Sequence, residues 1–406
     1  MMAELHGIDY LRKLLDRKRS RVLLRYRYYD MKKLVKDFGI STPPALRNIL
    51  CTIGWCGKAV DSLSDRLVFN GFRDDNFALS EIYEQNNPDI LAPSAIRAAL
   101  IGSCSFIYIY PDEEDGFPMM QVIDGYDATG IVDTVTGMLR EGYAVLERDK
   151  DKRPVVEAYF LPGTTAYYQE GRYIRTYKHP SRYPLLVPVI NRPDATRPLG
   201  HSRISRACMS YFEGAVRTVK RSEIAAEFYS FPQKWVSGLD QDAEKMEKWQ
   251  ATISALLTFT KDSQGERPTI GQFSAGSMAP HVEQLKMFAS LFAGETGLTL
   301  DDIGFPSSNP SSADAIKASH ESLRLMARRA QSDFGSAFVN AGFVAASIRD
   351  DFGYSRRMLY QTRAKWEPIF EPDISQIGAI GDAVIKIQQA FPDYFTAEKL
   401  EELTGI

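Results

Sequence analysis

The run from residue 312 to residue 349 constrains this chain most. Apolar side chains at Ile316, Leu323, Met326, Ala330, Phe334, Phe338, Ala341, Phe343/Val344 and Ile348 recur every three or four residues, so a single helix can keep one stripe buried along its whole length. Such a helix would be about 56 Å long at 1.5 Å per residue. Ser311 and Asp314 form an S-x-x-D pattern at its start, whose side chains can satisfy the first unpaired amides. A helix of that length exceeds the usual globular element and predicts a structural spoke. The alternative is a long core helix of an enzyme.

The rest of the composition narrows what the spoke can belong to. The chain has 406 residues, with 49 Lys and Arg against 52 Asp and Glu, a formal net charge of -3. That balance excludes a strongly basic binder of the histone type. A hydrophobic share of 44% and a charged share of 25% indicate a globular protein, and the length allows two or three domains. The most apolar stretches, Ala98 to Tyr110 and Phe334 to Ser347, fall short of the roughly 18 residues of a membrane span. The N-terminal segment carries charges where a secretory signal needs its apolar core, so export by that route is not expected. Cys51, Cys56, Cys104 and Cys208 lack the spacing of a disulfide framework or zinc site and read as buried thiols of a reducing compartment.

Familiar chemical motifs are missing. Gly54-Trp55-Cys56-Gly57-Lys58 has the wrong spacing for a phosphate loop, and His6, His179, His201, His281 and His320 lie far apart in the sequence. This lowers the expectation of an enzyme. Asp124, Asp127 and Asp133 could gather on a sheet to hold a metal, but strand alternation does not ensure that they share a face. The acidic stretch Asp112 to Asp115 reads as an exposed hairpin tip.

Along the chain, Arg12 to Lys33 holds ten Lys or Arg, two Asp and three Tyr and predicts a basic helix. It serves either as a solvated cover for its neighbours or as a nucleic-acid contact. Pro43-Pro44 ends it, and a second helix is expected from Ala45 to about Leu67, followed by short helices over Phe77 to Gln85 and Pro93 to Ile101. From residue 104 to 190, β-branched and aromatic runs separated by Gly, Pro and Asp predict six to eight antiparallel strands. Ser202 opens a helix that Pro232 stops. A small α/β insertion follows, with strands at Trp235 to Leu239, Leu257 to Phe259 and Thr269 to Phe273, the last two paired, and a helix over Asp242 to Leu257. A helix from Pro280 to Thr296, the loop Leu298 to Pro310, the long helix, an extended Trp366 to Pro372 stretch and helices at Ile374 to Ala390 and Thr396 to Leu403 complete the reading.

The order of these elements resembles the portal proteins of tailed bacteriophages. The likeness rests on Gly200-His201-Ser202-Arg203-Ile204 opening a helix, Phe231-Pro232 followed by Trp235-Val236, and a helix ending in Gly294-Glu295-Thr296-Gly297-Leu298. It rests equally on the loop Asp301 to Pro310 and on Ser312-Ala313-Asp314-Ala315-Ile316. It spans essentially the whole chain and is most specific from Gly200 to Ile348. The resemblance implies an α+β subunit with a β-rich wing over 1–200 and an outer stem helix over 201–231. A clip over 232–275, a channel-side stem helix over 276–298 and a tunnel loop over 299–311 would follow. The wing's long helix and return would occupy 312–373, and a short helical crown 374–406.

The same resemblance implies a ring, normally of 12 subunits, at one capsid vertex of a virion whose proteins are made in the host cytoplasm. Double-stranded DNA would pass through it without sequence specificity during packaging and ejection. Other implied partners are the terminase large subunit, the major capsid and scaffolding proteins and a head-completion adaptor, with no membrane, cofactor, metal or catalytic residue. Lys286 and the loop Gly304, Phe305, Pro306, Ser307, Ser308 and Asn309 are then the candidates for facing DNA. Lys234, Trp235, Lys245, Lys248 and Trp249 are the candidates for partner contact. A net charge that is not basic suits such a channel, because many phosphate contacts would make the cargo adhere. The basic run Arg12 to Lys33 has capsid, scaffold and packaged DNA as open alternatives. Two other classes compete: a soluble α+β nucleic-acid-modifying enzyme, and another virion connector or minor head protein.

Overall fold

A computed structural model describes residues 5–37, 46, 48–230, 234–238, 267–272, 276–306, 313–359, 361–370, 374–391, 394 and 400. The helices are α1 (Ile8–Tyr29), α2 (Trp55–Ser64), α3 (Leu79–Gln85), α4 (Pro88–Gly102), α5 (Arg206–Ser230), α6 (Ala279–Thr296), α7 (Ala313–Ser319), α8 (Glu321–Arg349) and α9 (Ile374–Ala390). The strands are β1 (Phe69–Arg73), β2 (Cys104–Pro111), β3 (Pro118–Asp124), β4 (Ala128–Val132), β5 (Leu139–Arg148) and β6 (Pro154–Leu161). They continue with β7 (Thr164–Gln169), β8 (Arg172–Lys178), β9 (Leu186–Ile190), β10 (Lys234–Ser237), β11 (Thr269–Gln272) and β12 (Arg363–Trp366). The fold is α+β, as expected.

The eight strands from residue 104 to 190 form two antiparallel sheets, ordered β3-β2-β9 and β4-β5-β6-β7-β8. Strand β2 is central, and its residues Cys104 to Ile109 are buried in succession. That requires cover on both faces, which α4 and α8 provide on one side. At the opposite extreme, β8 lies at a sheet edge, is almost wholly exposed and carries Arg172, Arg175 and Lys178, charges that discourage pairing with another edge. The Asp112 to Asp115 stretch is the exposed tip between β2 and β3, where Asp112 and Asp115 accept from the amides of Glu114 and Phe117.

The long apolar run departs from a single rod. Two helices, α7 and α8, meet at His320, and α8 alone is about 43 Å long. At the break the Ser319 hydroxyl donates to the Ile316 carbonyl at 2.7 Å and the His320 ring lies 2.9 Å from the same oxygen. These local bonds compete with the helical ladder. The expected stripe is also wider than one face: Phe334, Phe338, Ala341, Phe343, Val344, Ala345, Ala346 and Ile348 are all buried. The second half of α8 therefore threads the core between α3 and the β2 and β9 sheet. Before Phe334 the helix is buried only at Leu323, Ala327 and Ala330.

Several boundaries need correction. The helix expected over Ala45 to Leu67 begins only at Trp55. The turn expected at Asn70-Gly71 lies inside β1, which pairs with β12, Phe69 opposite Trp366 and Arg73 opposite Arg363. Helix α4 begins at Pro88 and contains Pro93. Ser202 does not open α5: its hydroxyl donates to the Ile101 carbonyl and accepts from the Ile204 amide, which holds an extended turn until Arg206. The described partner of β11 is β10, in the register Trp235 opposite Gly271. Residues 239–266, Ser311 and most of 396–403 lie outside the described residues, and with them the expected insertion helix, the Leu257 to Phe259 strand, the capping box and the last helix.

Candidate channel and docking site

Helices α5 and α6 pack antiparallel. Ser205 donates to Glu295 at 2.7 Å, Gly214 faces the Phe288 ring, and the Thr218 hydroxyl lies 3.1 Å from the Gln284 side-chain oxygen. Gly214 permits this approach, since a Cβ there would lie 2.5 Å from that ring. The apolar residues Leu285, Phe288, Ala289, Phe292 and Ala293 line the buried face of α6. Of the other apolar residues of α6, Val282 is 58% exposed, Met287 49% and Leu291 44%, and only Met287 and Leu291, one turn apart, share a side. Lys286, about 100° round the helix from Met287, is exposed and makes no ion pair among the described residues.

The pair is fastened to the body by residues that the sequence reading quoted without a role. Gly200 has φ +72°, and a Cβ there would sit 2.2 Å from the Asn191 carbonyl oxygen; only glycine fits such a position. The Asn191 side chain donates to the His201 carbonyl at 2.6 Å, and the His201 amide returns a bond to the Asn191 carbonyl at 2.8 Å. Next in the chain, the Arg203 guanidinium donates to the Ala59 carbonyl at 2.7 Å and to the Thr296 carbonyl at 2.6 Å. Burial pushes this guanidinium down to about 10. Thr296 ends α6, where the helix dipole favours a cation, so one side chain locks the end of α6 to α2. Lower on α5, Lys220 pairs with Asp37 at 2.6 Å with both side chains nearly buried. Nothing in the spacing of Arg203 announces its role; only the packing reveals it.

The segment after α6 is anchored at its base and open at its tip. Asp302 accepts from the amide and hydroxyl of Thr299, both at 2.9 Å, and pairs with His320 at 3.3 Å. Burial opposes ionisation of Asp302, but these bonds outweigh it and hold the carboxyl below its ordinary value. Ile303 is buried, Phe305 packs partly against the core, and Gly304 and Pro306 are exposed. Ser307, Ser308 and Asn309 lie outside the described residues.

At the far end of the helix pair, β10 and β11 form a two-stranded sheet. Trp235 stands over Gly271, where a Cβ would meet its ring at 2.3 Å, and the ring remains 39% exposed. Ile270, on the opposite face of the ribbon by strand alternation, is 51% exposed. Lys234 shares β10 with Trp235; Lys245, Lys248 and Trp249 lie outside the described residues.

The basic helix α1 divides its cations. Arg12 forks onto Glu157 at 3.0 and 2.9 Å, Lys18 donates to the Ala128 carbonyl at 2.8 Å, and Arg19 stacks over Tyr126 and donates to its hydroxyl. Lys13, Arg17, Arg21 and Arg27 point to solvent. The three aspartates weighed as a metal site are apart in role. Asp124 caps a turn, Asp127 pairs with Arg148 and Asp133 with Arg140, and no cluster of three or more metal-ligating side chains occurs among the described residues. No described helix is long and apolar enough to cross a membrane.

A sheet-rich body with two antiparallel helices, a two-stranded ribbon and a long helix entering the core has the order of elements that the sequence led us to expect of portal-type proteins. The chain resembles such proteins in sequence as well. It is 25% identical over 337 residues to the portal protein of Mycobacterium phage D29, covering 77% of this chain and 68% of that protein. It is likewise 25% identical over 386 residues to the portal protein of Mycobacterium phage L5, covering 89% of this chain and 77% of the relative. In structure it matches a chain from the neck of an empty gene transfer agent particle, computed with C6 symmetry, at TM-score 0.51 and 13% identity over 95% of this chain and 93% of that one. No family model matches.

Proposed function

We propose that copies of this chain assemble into a ring, normally of 12, at one vertex of a virion capsid, and that the ring passes double-stranded DNA during packaging and ejection. The observation that carries this reading is the exposed apolar pair Met287 and Leu291, one turn apart on α6, a helix otherwise well anchored. Exposed apolar surface of this kind marks an interaction site, and a ring supplies the next subunit. The sequence likeness to two phage portal proteins supports the same reading.

In this assignment the wing is 1–200 and 312–373, the stem helices are 201–231 and 276–298, the clip is 232–275, the tunnel loop is 299–311 and the crown is 374–406. Lys286 and Gly304 to Asn309 face the duplex, in weak contacts that suit sliding cargo. Lys234 and Trp235, with Lys245, Lys248 and Trp249, meet the terminase large subunit and later a head-completion adaptor, and the wing meets capsid and scaffolding protein. The chain is made in the host cytoplasm and acts as a conduit rather than a catalyst.

Mass photometry with negative-stain imaging tests the ring. The expected species is near twelve times 45.7 kDa, with a central hole. A monomer or dimer that persists on co-expression with capsid protein would overturn it.

A further inference from the structure

A groove of about 860 Å³ runs between α8 and the return segment from Arg356 to Trp366. Gly335 brings the two walls together, since a Cβ there would lie 3.0 Å from the Ala364 methyl. Three guanidiniums line the groove: Arg328 on α8, Arg356 on the 3₁₀ turn and Arg363 on β12. Arg356 donates to the Asn340 side-chain oxygen at 3.3 Å and Arg363 to the Thr362 carbonyl at 3.1 Å. Arg328 has no ion pair among the described residues, and no carboxylate is among the residues lining the groove. Acids on the neighbouring elements have other contacts: Glu321 pairs with Arg324 and feels Arg328 only through its charge, Asp333 accepts from the Arg192 amide, and Glu367 accepts from Asn70.

Three planar cations line one concave site whose lining holds no carboxylate, with only neutral acceptors on Arg356 and Arg363, and carboxylates fit such forks two oxygens at a time. The volume lies in the range of about 300–1,000 Å³ that encloses small ligands and short peptide segments. A rigid DNA duplex would touch only the rim. One wall is β12, which pairs with β1, so the groove is backed by an extended segment. We propose that this groove binds an acidic peptide segment of a protein partner, with Asp or Glu carboxylates seated on Arg328, Arg356 and Arg363. The site is independent of the channel face on α6.

Fluorescence anisotropy on the full chain tests this, with a labelled Glu-rich peptide as probe and a Gln-substituted peptide as control. The acidic peptide should bind, weaken with added salt, and lose about tenfold in affinity with Arg328→Glu or Arg363→Glu. Arg21→Glu, on the exposed face of α1, should leave binding unchanged. Arg328→Gln, a milder change on an exposed helix position, should still weaken it, and circular dichroism establishes that each variant is folded. No binding by the parent chain, equal loss with Arg21→Glu, indifference to both groove variants, or displacement of the peptide by equimolar DNA duplex would each overturn the proposal.

Discussion

The body and the stem treat exposed and buried groups in opposite ways. In the body, charged side chains are turned inward onto partners: Arg12 onto Glu157, Arg148 onto Asp127, and Glu141 onto the amides of His6 and Gly7. Its sheets close on helices that cover them, and its core runs unbroken from α2 to α8. The stem buries one face of each helix against the other and leaves Val282, Met287 and Leu291 in solvent. The partners of these body charges lie within the subunit, whereas in the proposed ring the exposed Met287 and Leu291 of the stem would be covered by another copy. Changes at the body and at its junction should therefore cost stability, and changes on the outer stem face should cost assembly.

The largest effect is expected at the junction. Gly200→Ala places a methyl 2.2 Å from the Asn191 carbonyl in a left-handed conformation, so the backbone must move, at a cost of about 3 kcal/mol or more. Urea unfolding should show a large drop in midpoint or failure to accumulate folded protein. A midpoint within experimental scatter of the parent would break the idea that this turn fixes the stem to the body. Arg203→Ala comes next. It strips the Thr296 carbonyl at the end of α6 of its donor, worth about 1–3 kcal/mol for a buried group left unpaired, and cuts the tie to Ala59, whose carbonyl keeps its bond within α2. Arg203→Lys should recover only part of that, because an ammonium lacks the fork that reaches both helices.

A third effect belongs to the body alone and sharpens the contrast through pH. Burial pushes the His179 imidazole down to about 4 from 6.5, against a smaller opposing pull from the Thr164 and Leu161 backbone. The unfolded chain therefore binds the proton more readily. The stability held by the neutral ring is full above pH 6.5 and is lost as pH falls from there toward 4, by about 2 kcal/mol at pH 5. Thermal melts of the parent should decline across that window, and His179→Phe should flatten the decline. An unchanged slope would show that His179 is not the group responsible.

The same division decides what was legible in the sequence. The eight strands were, because alternation and turn residues are local, and so were α5 and α6, whose apolar positions repeat within one element. Strand β1 was not: Phe69-Asn70-Gly71-Phe72 reads as a turn until its partner Arg363–Trp366, distant in sequence, covers it. The break at His320 was hidden because Ile316 and Leu323 keep helical spacing across it, while the bonds to the Ile316 carbonyl that end the helix depend on side-chain direction. At the candidate site, Lys286 and Gly304 to Pro306 could be singled out by order along the chain. Arg203 could not be given its role, since Ala59 and Thr296 meet it only in the folded protein.

The smallest effect on stability is the one that most sharpens the comparison. Met287→Asp replaces a side chain that is 49% exposed, on the exposed side of α6, so the monomer should lose no more than about 0.5 kcal/mol. In a ring the same carboxylate would enter an apolar contact without a partner, and would be repeated in every subunit, so the penalty multiplies with the number of interfaces. Mass photometry should then show rings replaced by subunits while the thermal melt of the dissociated chain stays where it was. Rings that persist with Met287→Asp would place the subunit contact elsewhere and leave the α6 face for DNA. A melt that falls together with assembly would instead mean that Met287 supports the helix pair itself, and that the stem is no less self-contained than the body.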